Sequence, residues 1–162
     1  MNDHEKITGK VIRHTVNIQI SAAKIISRYY LKESPRVIHM GFIHDVLTNP
    51  HASFVLIGDI LRIVLLRQGA DMKRVKILDN DMRELSNLRN RFAHEMIITN
   101  SEKMDKFYIA DRKQVGWEEN MGGADIEEVF NKFTVLCGKV SKEIDSFKRE
   151  LMIEDIEITT KD

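Results

Sequence analysis

Cysteine is nearly absent from this chain of 162 residues: Cys137 stands alone, which excludes an internal disulfide and any multi-cysteine zinc site. Proline (2) and glycine (8) are also scarce. So few breakers argue against an all-β fold, which needs a turn about every 8–12 residues. No long uncharged apolar run occurs, and the nearest candidate, Phe54–Leu66, is interrupted by Asp59 and Arg62. The first six residues, Met-Asn-Asp-His-Glu-Lys, lack the apolar centre of a signal peptide. An excess of one charge sign is missing as well: 25 basic residues balance 25 acidic ones, which excludes a strongly basic nucleic-acid coat. The expectation is a cytoplasmic protein with one domain over residues 1–152 and an acidic, fraying tail over 153–162.

The balanced charge is unevenly spread. Residues 118–162 hold 6 Lys/Arg and 12 Asp/Glu, while residues 1–117 hold 19 and 13. Local positive ground therefore exists for a phosphate-bearing ligand.

What the chain has in quantity is helical periodicity. From Glu5 to Leu31, the residues Ile7, Val11, Ile18, Ala22, Ile25 and Tyr29 recur at helical steps. Ser34-Pro35 predicts an N-cap followed by proline at the first position of a second helix, ending near Thr48. Asn49-Pro50 repeats the signal and predicts a third helix carrying Phe54, Ile57, Leu61, Val64 and Leu65, with Gly69 as its C′ residue. A fourth helix is expected over about Asp79–Ala93. Met96–Thr99, Phe107–Ile109 and Val115–Trp117 are short and β-prone, and read as extended segments or a small hairpin closed by Gly122-Gly123. Asp125 then caps a long last helix, with Glu128 at the capping-box position and an apolar row from Ile126 to Leu151. The fold class is all-α: a bundle of about five helices with one extended insertion before the last.

The fourth helix carries a second row. At about 100° per residue, Leu85, Leu88 and Phe92 form its apolar face. Arg83, Asn87, Asn90 and His94, spaced 4, 3 and 4, gather on the far side, with Arg89 at the border. A polar far face is ordinarily just solvated. Yet asparagine and histidine are poor helix formers, and exposed positions usually favour Glu, Lys, Gln and Ala.

The string Arg89-Asn90-Arg91-Phe92-Ala93-His94 resembles the motif of HEPN domains, an arginine followed by a polar residue and, a few positions on, a histidine. The resemblance implies a HEPN-like helical domain and a metal-independent endoribonuclease of toxin or defence type. It implies a homodimer in which the motifs of both subunits face one cleft. Carried over residue by residue, Arg89, Asn90 and His94 would be catalytic, and no cofactor is implied. Arg83, Asn87 and Arg91 are candidate RNA contacts beside them, and Lys73, Arg74 and Lys76 could also track the backbone. One branch of the family, toxins paired with a nucleotidyltransferase antitoxin, has a tyrosine two residues beyond the histidine, where this chain has Met96. Other HEPN-like proteins keep the bundle without nuclease activity, and mannitol-repressor-like regulators share a similar helical arrangement. A non-catalytic dimeric module binding a regulatory protein or nucleotide is thus the alternative.

The chemistry suits the residues. Metal-free RNA cleavage needs a base for the 2′-OH and an acid for the 5′-oxygen, and histidine titrates in the right range for both. Arginine offers a planar, permanently charged fork to the phosphoryl oxygens, and asparagine can orient either partner. His39, His44 and His51 invite a metal reading, but their spacings of five and seven do not form the i, i+4 pair of a helical zinc site. Cys137 and one of Tyr29 and Tyr30 fit apolar rows. Trp117 ends an extended segment and reads as lid, interface anchor or core.

Overall fold

A computed structural model of the chain describes residues 3–48, 53–94, 97–100, 103–110 and 123–152, with side chains over 5–48, 53–93 and 125–152. The architecture is the expected all-α bundle with a small antiparallel insertion. Helix α1 spans Asp3–Leu31, α2 Arg36–Gly41, α3 Phe54–Arg67, α4 Met72–His94 and α5 Ile126–Glu150. Strands β1 (Ile97–Asn100), β2 (Lys103–Ala110) and β3 (Gly123–Asp125) stand between α4 and α5 in the order β1-β2-β3. Ile98 pairs with Tyr108 and Ile109 with Ala124, both antiparallel, and β2 and β3 lie against α5.

Helix α1 packs beside α3 and α5, and α4 packs beside the same two, so four long helices enclose one core. Phe133, Phe147, Ile25, Ile57, Leu61, Leu65, Leu85 and Ile144 are fully buried there. The rows expected on α1, α3 and α5 all point inward, Ile7, Tyr29 and Leu151 only partly. Helices α4 and α5 are antiparallel, tied by a ladder of ion pairs. Arg74 meets Glu143 and Glu150, each at 2.8 Å, and Lys139 meets Asp81 and Lys132 Glu84, each at 2.7 Å.

Helix starts differ most from expectation. Helix α4 begins at Met72, seven residues before Asp79, because the Asp71 carboxylate accepts from the Arg74 N–H at 2.8 Å and its carbonyl accepts from Val75. Val75 and Leu78 then extend the buried row upstream. Helix α3 opens at Phe54, capped by Ser53 Oγ, which accepts from the Leu56 N–H at 3.1 Å; Asn49-Pro50 lies outside the described residues. In α2 the capping position is Pro35 itself, and no side chain caps it. After Gly41 the chain continues as a π-helical turn, Phe42–Leu47, closed by Thr48 donating from N–H and hydroxyl to the Ile43 carbonyl. The wider turn lets His39, Ile43 and Leu47, at steps of four, all bury. Gly69, at φ +82°, ends α3 as its C′ residue: its N–H donates to Leu66 O, and the Ala70 N–H donates to Leu65 O.

Asp125 does cap α5, but its carboxylate accepts from the Glu127 N–H at 2.8 Å. The first two expected extended segments fall in β1 and β2. The third strand is Gly123–Asp125, while Val115–Trp117 and the tail 153–162 lie outside the described residues. Among the described residues no helix is long and apolar enough to cross a membrane.

Candidate functional site

The last three turns of α4 separate into the two expected rows. Leu85, Leu88 and Phe92 are buried, joined by Ser86. Arg83, Asn87 and Asn90 are exposed, and Arg89 and Arg91 are half-buried. His94 is the last residue of α4, and its side chain lies outside the described residues, as does Met96.

Arg89 starts near the core-facing side of the helix. Its guanidinium nevertheless turns back to the polar row, where Nη1 donates to Asn90 Oδ1 at 3.1 Å. Among the described residues the other guanidinium N–H groups meet no acceptor, and the contact orients the Asn90 amide with its NH₂ away from the arginine.

Arg83 is differently placed. Its Nε donates to Asp79 Oδ2 at 3.3 Å, and its Nη2 donates to Asp59 Oδ1 on α3. The hydrogen bond to Asp79 leads the causes that raise its pKa above the ordinary arginine value. Two carboxylates thus neutralise Arg83, and a phosphate would have to displace them. Arg74 is likewise engaged with Glu143, Glu150 and Ser146, its guanidinium lying 4.5 Å from the Phe147 ring centroid. It also lies fifteen residues before Arg89, about 22 Å along the helix.

Behind the motif is an aromatic cluster. Phe92 meets Phe130 and Phe133 edge-on, with centroids 6.5 and 6.3 Å away. The same two rings carry groups of α1: Lys10 Nζ lies 6.0 Å from the Phe130 centroid, and the His14 ring lies 6.4 Å from Phe133. Sequence periodicity does not single out Lys10 and His14, because only the packing of α1 on α5 brings them beside the motif helix.

The remaining candidates sort by burial. His39 is buried, with Nδ1 2.7 Å from Ser27 Oγ, and its Nε2 meets no partner among the described residues. His44 is exposed, and His51 lies outside the described residues. No group of three or more His, Cys, Asp or Glu among the described residues could hold a metal ion. Burial pushes the Cys137 thiol up to about 12, so it is not a nucleophile at neutral pH. Tyr29 packs against the core while Tyr30 is exposed, the two rings meeting edge-on at 5.0 Å.

Comparison with family models, with curated proteins and with solved structures finds no match to this chain.

Proposed function

We propose that the protein is a metal-independent endoribonuclease of the HEPN type, working as a homodimer. The observation that supports the reading is the Arg89–Asn90 contact, which turns a half-buried guanidinium toward the polar row of α4, four to five residues before His94. In the proposed reaction a histidine takes the proton of the RNA 2′-OH. The 2′-oxygen bonds to the adjacent phosphorus, and the bond to the 5′-oxygen breaks. A second histidine protonates that leaving oxygen, so the products carry a 2′,3′-cyclic phosphate and a 5′-hydroxyl. Each chain brings one His94, and two chains supply the acid and the base. Arg89 stabilises charge on the phosphoryl oxygens, and Asn90 holds the arginine or an oxygen in place. Asn87 and Arg91 are the proposed RNA contacts of this helix, while Arg83 is engaged with Asp59 and Asp79.

That engagement favours a second reading, a non-catalytic dimeric module binding a regulatory protein or nucleotide through the same row. Purified protein incubated with mixed cellular RNA separates the two. Under the nuclease reading cleavage persists in EDTA, and a 2′-deoxy residue at the cut site blocks it. His94→Ala lowers the rate about 10²–10⁴-fold, and Arg89→Lys is impaired because a point charge cannot replace the fork. Equal cleavage by all three proteins, or none by wild type, would move the assignment to the binding module.

A further inference from the structure

Between Glu5 and Glu33 the chain contains no acidic residue, whereas Lys6, Lys10, Arg13, Lys24, Arg28 and Lys32 all fall in that stretch. Its surplus of six positive charges equals that of residues 1–117 as a whole, with 19 Lys/Arg and 13 Asp/Glu. At about 100° per residue, Lys6, Lys10, Arg13, Asn17, Lys24 and Arg28 share one sector roughly 60° wide on α1, a straight stripe about 33 Å long. Lys10 and Arg13 are exposed and Lys24 is half-buried. Among the described residues no carboxylate pairs with these three. By contrast Arg74 and Arg83 each meet two carboxylates, and Lys132 and Lys139 each meet one.

The stripe runs beside the candidate site. Lys10 and His14 lie on Phe130 and Phe133, the two rings that hold Phe92 of the motif. Along α5 a row of small polar positions runs between the exposed carboxylates Glu127 and Asp145. Asn131, Thr134, Gly138 and Ser141 recur at steps of three, four and three, and a Cβ built at Gly138 would meet nothing within 4 Å. Three cations of the stripe, Lys10, Arg13 and Lys24, thus meet no carboxylate among the described residues, and the middle of the α5 row beside α1 is open and polar.

We infer that this α1 stripe, with the α5 shoulder, binds the phosphate backbone of single-stranded RNA and leads it to the last turn of α4. The inference rests on the nuclease reading for what happens there, but not for the binding itself. One row of cations on one helix matches one strand. A single strand is also free to bring its 2′-oxygen in line with the leaving 5′-oxygen. Neutralised phosphates release counterions, so binding must weaken as salt rises.

The test is fluorescence anisotropy with a labelled, unstructured 20-nucleotide 2′-O-methyl RNA, which lacks the nucleophile and stays whole. Replacing three cations, Lys10→Gln, Arg13→Gln and Lys24→Gln together, should weaken binding by about 10–100-fold near 0.1 M salt. It should also flatten the slope of log affinity against log salt by about 2, at roughly 0.7 per phosphate contact. Lys132→Gln, already paired with Glu84, should change neither. The three single variants, each expected to remove about 0.7 of slope, decide the matter if the triple variant does not fold. Unchanged affinity and slope would overturn the inference, as would tighter binding to duplex RNA or to anionic phospholipid vesicles. Failure of the nuclease reading looks different: wild type then binds the oligomer with the expected salt slope but cuts no RNA. If instead the triple variant cuts RNA with wild-type kcat/KM, the nuclease stands and the α1 stripe is not its RNA track.

Discussion

Phe92 lies between two candidate functional residues, Arg91 and His94, yet its ring packs into Phe130 and Phe133. It fixes the last turn of α4 against α5, and Asn90 on the opposite face stays in water. Phe92→Ala should therefore cost about 3–5 kcal/mol in urea unfolding, by lost burial plus the cavity left behind. Asn90→Ala should stay within about 0.5 kcal/mol of wild type, as exposed substitutions do. A Phe92→Ala protein as stable as wild type would mean that the ring does not anchor the motif turn. At this scale the sequence identified Phe92 as core and Asn90 as surface, because helical period decides both. It left Arg89 at a border, and a border residue's direction depends on its side-chain torsions, which here bring Nη1 to Asn90.

Among the elements, α4 and α5 show what periodicity can and cannot place. The row of α5 and the last turns of the α4 row were legible in the sequence, whereas the buried Met82 and the start of α4 were not. Asp71 caps the helix eight residues before Asp79, and the charged run Lys73-Arg74-Lys76 masked the buried Val75 and Leu78. Arg74 then joins the N-terminal end of α4 to the C-terminal end of α5 through Glu143, Glu150 and Ser146. The hydrogen bond from Arg74 leads the causes that hold the Glu150 carboxyl below its ordinary range. A depressed carboxylate stabilises the fold above its unfolded pKa, and that contribution is lost as pH falls through the folded one. Arg74→Gln should thus be less stable than wild type at neutral pH, with the gap closing as the solution is acidified below about pH 4. Parallel acid-unfolding curves for the two proteins, with a gap independent of pH, would rule out the Arg74–Glu150 pair as its source. Exposed pairs are screened, so high salt should narrow the gap as well.

For the molecule as a whole, the proposed chemistry needs two histidines, and each chain offers one at the end of α4. Light scattering at tens of micromolar should give twice the mass of the chain. A stable monomer would sink the two-histidine mechanism, while leaving the α1 stripe open to its own test. The sequence by itself determined the helical class, the inward rows, the one buried cysteine and the polar string Arg89–His94, because each depends on residue type and spacing within one element. Only the tertiary structure decided that Asp59 of α3 neutralises Arg83 and that α5 carboxylates occupy Arg74. It alone set Lys10 and His14 of α1 behind the motif on two shared rings. Those outcomes depend on which helix lies beside which, a choice made by the packing of four apolar faces at once, and no single element's spacing carries that information.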